Sequence, residues 1–153
     1  MSRGAAARPG SRTRPARGRR LARELAFRVA YQGDVTRDAV AEVWAALAAT
    51  ERLSADQRGL VDDVVGLLAG RAAEVDALLA AACTHWPLGR LAATDRAVLR
   101  VAVAELLARP GSPARVGLDE AIEIARLYGS AESGGFVNGV LDQVVRRLRP
   151  EEL

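Results

Sequence analysis

The sequence contains no lysine, a single cysteine and a single histidine. All 22 cationic side chains are therefore arginines, so arginine at any one position is not evidence of selection for its forked geometry. Cys83 has no second cysteine with which to form a disulfide or a thiolate metal site, which favours a buried thiol in a reducing compartment. We predict no metal ion and no other cofactor.

Residues arranged for catalysis are also scarce. Cys83 and His85 could form a nucleophilic pair, but a reactive thiol needs an exposed, electropositive setting, and a structural role is favoured. Asp119, Glu120 and Glu123 lie close together in the sequence, yet acids near the start of a helix are expected from the helix dipole alone. We therefore predict that the protein is not an enzyme.

Long apolar segments are missing as well. No stretch approaches the length of a membrane-spanning helix, and no apolar core of a signal peptide follows the basic N-terminus. We expect a soluble cytoplasmic protein that makes no membrane contact. Aromatic residues make up only 4% of the chain, and its hydrophobic side chains are mostly Ala, Leu and Val, which favours closely packed helices over a sheet. The predicted fold class is all-α.

Positive charge is concentrated at the N-terminus. Eight arginines precede the first acidic residue, Glu24, so residues 1–23 carry +8, while the net charge of +3 leaves −5 on the remainder. Such a basic segment suits a polyanion, because each phosphate that it neutralises releases condensed counterions. Residues 1–17 are rich in Arg, Gly, Pro and Ser, and we predict a disordered arm there. The alternative is a solvated arm with no binding role.

A first helix is predicted from Gly18 to about Gly33. Its buried stripe comprises Leu21, Leu25 and Val29. The opposite face is basic and aromatic and comprises Arg20, Arg23, Phe27 and Tyr31. Such a face could hold RNA phosphates on guanidinium groups and unstacked bases on its rings. The alternative is that the rings pack against another helix, which is favoured more for Phe27 than for Tyr31, because the tyrosine hydroxyl needs a polar partner.

Caps and apolar spacing predict further helices on both sides of a linker at residues 84–93. In the N-terminal subdomain, residues 18–83, Thr36 caps a second helix with Trp44 in the core, and Ser54 with Gln57 opens a third. Glycines at 66 and 70 leave open whether the third helix is one bent helix or two. The C-terminal subdomain, residues 94–149, comprises helices that begin at Thr94, at about Leu118 and at about Ser133, with an extended connection up to Val116.

Four collinear segments resemble the NusB family. They are residues 19–26 (RRLARELA), 95–100 (DRAVLR) followed by Glu105 and Leu106, 118–125 (LDEAIEIA) and 136–142 (FVNGVLD). The last string is the most specific, and order and spacing agree over most of residues 18–148. The resemblance implies an all-helical fold of two small bundles. It also implies a protein that binds single-stranded boxA RNA of ribosomal RNA operons together with NusE, a small-subunit ribosomal protein, so that RNA polymerase reads through terminators.

The resemblance also assigns site residues by position. The RNA-binding residues that it implies are Arg17, Arg19, Arg20, Arg23, Tyr31 and Phe136. Asp95 and Glu132 match positions near the RNA or partner surface. The sequence departs from the family where Gly135 replaces a common basic residue and Asp119 replaces an asparagine. The long arm before Arg17 could substitute for the missing phosphate contact.

Two other functions stay open from the sequence. Some ribosomal RNA cytosine methyltransferases carry a NusB-like N-terminal domain, and this chain could be such a domain on its own. A different class is a helical protein-interaction adaptor in which the arginine arm is inert. The sequence does not decide between a monomer and a homodimer.

Overall fold

The computed structural model describes residues 14–152, with side chains from residue 18 onward. Over this range the chain forms six α-helices, which we name α1 (Arg14–Thr36), α2 (Val40–Ala48), α3 (Ala55–Ala82), α4 (Ala93–Ala108), α5 (Ala114–Tyr128) and α6 (Ser133–Leu148), with 3-10 turns at Leu88–Arg90 and Pro150–Glu152. No strand occurs among these residues, and the predicted all-α fold is confirmed. None of the described helices is both long and apolar enough to cross a membrane.

The hydrophobic core is continuous from α1 to α6. Helix α1 lies against α3 and α4 and also contacts α2 and α5, so its buried residues face several directions. Alanines at 22, 26, 97 and 102 are buried among these helices and let the backbones approach closely. Buried side chains from both sides of residues 84–93 share one core. The division into two subdomains, at 18–83 and 94–149, stays a prediction.

The first helix is longer than predicted at both ends. Residues 1–13 of the predicted disordered arm lie outside the described residues, whereas residues 14–17 belong to α1. At the other end, α1 continues past Gly33 to Thr36, whose hydroxyl donates to the carbonyl of Gln32 at 2.7 Å. Thr36 therefore ends α1 and does not cap α2, which has Ala39 at its N-cap. Gly33 permits the close approach of α2, because a Cβ there would lie 2.9 Å from Cγ1 of Val40.

Helix α3 begins with the predicted capping box. The amide of Gln57 donates to Oγ of Ser54 at 3.1 Å, and the amide of Ser54 donates to Oε1 of Gln57 at 2.8 Å. Within Ala55–Ala82, two helical stretches meet at a kink at Arg71, whose backbone angles are not helical (φ −133°, ψ 32°). The helix thus bends immediately after the second glycine.

Two helix starts in the C-terminal half differ from the prediction. Helix α4 has Ala92 at its N-cap, so Thr94 lies in its first turn and does not cap it. Helix α5 begins at Ala114 after an N-cap at Pro113, four residues before the predicted start near Leu118. The extended connection expected up to Val116 is therefore wrong. The prediction failed because proline has a fixed φ that suits the first turn of a helix as well as a loop.

Candidate nucleic-acid interface

Three arginines near the start of α1 each face a carboxylate from a different helix. Arg19 pairs with Asp56 of α3, Arg20 with Glu120 of α5, and Arg23 with Glu105 of α4. In every case both carboxylate oxygens accept, one from Nε and one from Nη2. Such two-bond pairs fix the plane of the guanidinium as well as its position. The three neighbouring helices therefore set the orientation of all three arginines.

The innermost pair, Arg23 with Glu105, lies inside the protein. Its two hydrogen bonds are 2.9 and 2.7 Å, and the side chains are 6% and 7% exposed. A buried charge needs its partner, because the pair has lost its hydration. The Arg23 guanidinium joins α1 to α4 and is shielded from solvent, an environment that suits a structural role. Contact between Arg23 and RNA stays a prediction.

The outer two pairs lie at the surface. The side chains of Arg19 and Arg20 are 40% and 52% exposed, and their hydrogen bonds measure 2.9–3.1 Å. Hydrogen bonding by Arg19 lowers the pKa of Asp56, and hydrogen bonding by Arg20 lowers the pKa of Glu120. Both carboxylates are thus ionised at neutral pH. Arg17 belongs to α1, but its side chain lies outside the described residues.

An aromatic group lies two turns beyond Arg20 along α1. Phe27 is buried, its ring centroid lies 6.2 Å from that of Tyr31 and 5.0 Å from that of Tyr128 on α5, and both tyrosines are partly exposed. The alternative reading for Phe27, that it packs against another helix, is confirmed. Sequence reasoning missed Tyr128, because it comes at the end of α5, where an exposed aromatic has no periodic signal. Tyr31 is 38% exposed and lies about three turns beyond Arg20 on α1.

The other predicted site residues lie elsewhere on the surface. Phe136 is half-buried in the first turn of α6 and packs against the core. Glu132 is exposed at the N-cap of the same helix, where its carboxylate accepts from Oγ of Ser130 at 3.4 Å. Asp95 lies in the first turn of α4, and its Oδ1 is buried without a hydrogen bond from any described residue. The contacts of these three residues do not place them beside Arg19 and Arg20.

A second ionic cluster lies at the far end of α1. Arg96 donates to Oδ2 of Asp34 at 2.6 and 3.1 Å, and Arg100 bonds both Asp34 and Asp76. Partial burial acts to raise the pKa of Asp34, but the hydrogen bonds from Arg96 and Arg100 outweigh it, so this pKa is lowered. The cluster lines an open cleft of about 700 Å³, and its paired charges join α1, α3 and α4. Sequence reasoning did not identify it.

The described residues offer little for covalent or metal chemistry. Burial raises the pKa of the Cys83 thiol, which disfavours the reactive thiolate. No group of three or more His, Cys, Asp or Glu side chains in residues 18–152 is placed to hold a metal ion. Glu120 and Glu123, which the sequence placed near a helix start, lie in the middle of α5 and pair with Arg20 and Arg126.

Comparison with known proteins gives consistent matches over nearly the whole described range. The profile of the NusB family matches residues 20–146. A transcription antitermination protein NusB from Anaeromyxobacter sp. (strain Fw109-5) is 41% identical over 140 residues, which cover 87% of this chain and 93% of the relative. The structure of T. maritima NusB is 31% identical, with a TM-score of 0.76, and covers 84% of this chain and 90% of that chain.

A further match is to a chain that was solved as part of a protein–RNA assembly. A chain from the crystal structure of the antitermination factors NusB and NusE in complex with double-stranded RNA is 26% identical, with a TM-score of 0.70. The match covers 86% of this chain and 98% of that chain. The resemblance found in the four sequence segments is thus confirmed in both sequence and fold. On the family match over residues 20–146 and the 41% identical relative, this chain belongs to the NusB family.

Proposed function

We propose that this protein is an RNA-binding transcription antitermination factor. It binds boxA-type RNA of ribosomal RNA operons together with NusE, and the complex promotes read-through of terminators by RNA polymerase. The observation that carries this proposal is the match to transcription antitermination proteins over 87% of the chain. The chain also resembles, over 86% of its length, a chain crystallised with NusE and RNA.

The basic end of α1 is the part of the surface best suited to RNA phosphates. Arg19 and Arg20 have exposed guanidinium groups, and a guanidinium can bind a phosphate through two hydrogen bonds. Arg17 precedes them in the same helix. The exposed ring of Tyr31 and the half-buried ring of Phe136 would contact unpaired bases. Asp95 and Glu132 would lie at the RNA or partner surface.

Neither of the other two functions is favoured by a specific observation. The match covers 93% of the Anaeromyxobacter relative, which leaves no room in that relative for a cofactor-binding methyltransferase domain. A pure adaptor would give the exposed Arg19 and Arg20 no role beyond their ion pairs with Asp56 and Glu120. We also propose that the protein acts in the cytoplasm, where bacterial transcription takes place, and that it catalyses no reaction.

The test is equilibrium binding of a boxA-like RNA and a scrambled RNA, each with and without NusE, from about 50 to 200 mM salt. The proposal predicts tighter binding of the boxA-like RNA, a further gain with NusE, and weaker binding as salt rises. A duplex of the same sequence, added as a competitor, distinguishes recognition of unpaired RNA from recognition of a helix.

Each alternative predicts a different pattern in the same experiment. Equal affinity for the two RNAs in the presence of NusE would contradict the proposal and favour an adaptor. Preferential competition by the duplex would keep RNA binding but contradict the single-stranded ligand. A terminator read-through assay with purified RNA polymerase then tests whether specific binding has the proposed consequence.

A further inference from the structure

The RNA-facing arginines of α1 are neutralised in the protein as it stands. The proposed function assigns Arg19 and Arg20 to RNA phosphates. In both residues Nε and Nη2 already donate hydrogen bonds, to Asp56 and Glu120 respectively. A carboxylate and a phosphate can each accept two parallel hydrogen bonds from these two nitrogens. An RNA phosphate that uses this edge of either guanidinium must therefore take the place of a carboxylate.

We propose that Asp56 and Glu120 act as internal competitors of RNA phosphate, and that they lower the affinity of α1 for RNA irrespective of its sequence. This inference rests on the proposed function, since it concerns the ligand of the same arginines. RNA binding then exchanges two intramolecular ion pairs for two pairs with phosphate. Base contacts made elsewhere must supply the affinity that this exchange does not.

Exposure decides which of the three pairs can exchange. The side chains of Arg19 and Asp56 are 40% and 49% exposed, and those of Arg20 and Glu120 are 52% and 18% exposed, so each pair has an arginine open to solvent. Surface pairs of this kind contribute little free energy, so a phosphate can displace them at small cost. The pair of Arg23 with Glu105 is buried, and displacing its carboxylate would leave a buried charge unpaired. Only the outer two pairs of the three are therefore competitors.

The exchange also alters the response to salt. A free arginine that binds phosphate releases condensed counterions, and added salt opposes this step. A paired arginine must first leave its carboxylate, and added salt favours that separation because it screens the pair. The two effects have opposite signs. The wild-type protein should therefore show a weaker salt dependence than a protein whose arginines have no carboxylate partner.

The test compares the full chain with Asp56→Asn and Glu120→Gln, which keep the side-chain shapes and remove the negative charges. Each variant should bind both the boxA-like and the scrambled RNA about 1.5- to 5-fold more tightly at low salt, the range expected for a lost surface pair. The slope of log affinity against log salt should become steeper by up to about 0.7 for each variant with single-stranded RNA. The gain should shrink at high salt.

Glu24→Gln is the matched control. Glu24 lies one turn after Arg20 on α1 and raises the pKa of Arg20 through its charge, but it makes no hydrogen bond with any described side chain. The control therefore removes one local negative charge without freeing an arginine. If Glu24→Gln tightens RNA binding and steepens the salt slope as much as Glu120→Gln, the effect belongs to local charge and the inference is overturned.

A double-mutant cycle tests the pairing itself. In an Arg20→Ala background, Glu120→Gln should no longer change RNA affinity, because no guanidinium remains to be freed. An equal gain in affinity in the wild-type and Arg20→Ala backgrounds would overturn the inference. The inference would also be overturned if Glu120→Gln bound RNA more weakly than the wild type while its melting temperature was unchanged. Wild-type protein that binds neither RNA overturns the proposed function together with the inference. Wild-type protein that binds RNA while the variants match it overturns the inference alone.

Discussion

Arg23 of α1 and Glu105 of α4 form a two-bond ion pair in which both side chains are less than a tenth exposed. The pair lies one turn from Arg20, yet its role differs because it links two core helices away from solvent. The position of Arg23 in the basic segment therefore does not determine its function. Its neighbours do.

Breaking this pair should destabilise the protein strongly. Glu105→Ala is expected to lower the free energy of unfolding by about 3–5 kcal/mol, because the Arg23 guanidinium is left buried and unpaired. Replacing both residues by Met should recover most of the loss, since no unpaired charge remains. Urea unfolding measures both variants, and Glu74→Ala, which breaks the exposed pair with Arg71, should cost at most about 1 kcal/mol. Equal losses for Glu105→Ala and Glu74→Ala would contradict the assignment.

Two glycine substitutions should act in opposite directions. Gly33→Ala is expected to cost about 1–3 kcal/mol, because the new Cβ would lie 2.9 Å from Val40 and 3.1 Å from the carbonyl of Asp38. Gly66→Ala, in the exposed middle of α3 with nothing within 4 Å of the new Cβ, should stabilise by about 0.5–1 kcal/mol. Melting temperatures compare the two. Destabilisation by Gly66→Ala of the same size would show that the helices tolerate no added methyl group, whatever the local space.

The cluster around Asp34 should make part of the stability sensitive to acid. The pKa of Asp34 is lowered in the folded protein, so its contribution is present above the unfolded pKa of about 3.9 and is lost as the pH falls through the folded value. Asp34→Asn should cost about 1–3 kcal/mol at pH 7 and show a shallower loss of stability below about pH 4. Urea unfolding from pH 7 to 3 tests this. Parallel stability curves for the variant and the wild type would contradict it.

Phe136→Ala separates base contact from packing. Loss of a stacked base is expected to weaken RNA binding by about 1–3 kcal/mol with little change in salt slope. Because Phe136 is half-buried against the core, some loss of stability should accompany it, below the 3–5 kcal/mol of a fully buried phenylalanine. Tyr31→Ala should weaken RNA binding with a smaller effect on the melting temperature, and Tyr31→Phe should keep the affinity. RNA affinity unchanged in both alanine variants would remove these rings from the site.

The sequence predicted most of the helices but not the environment of individual side chains. Periodicity correctly assigned Leu25 and Val29 to the core, whereas Leu21, expected beside them, is 39% exposed. The same period placed Arg23 and Phe27 on an outer face, because a helical wheel shows one buried stripe and α1 is covered by neighbours on several sides. The partners of Arg19, Arg20 and Arg23 come from 37, 100 and 82 residues away, which no local pattern reveals.

The proposed RNA binding depends on the exposed arginines of α1, and it is tested most directly by the RNA affinity of the double variant Arg19→Ala/Arg20→Ala across salt. We predict weaker binding of the boxA-like RNA and a salt slope reduced by up to about 1.4, with a loss of stability of at most about 2 kcal/mol for the two surface pairs. Arg71→Ala/Arg146→Ala breaks two comparably exposed pairs and removes the same charge, and it should bind as the wild type does. Equal affinity and slope for the two double variants would contradict the account.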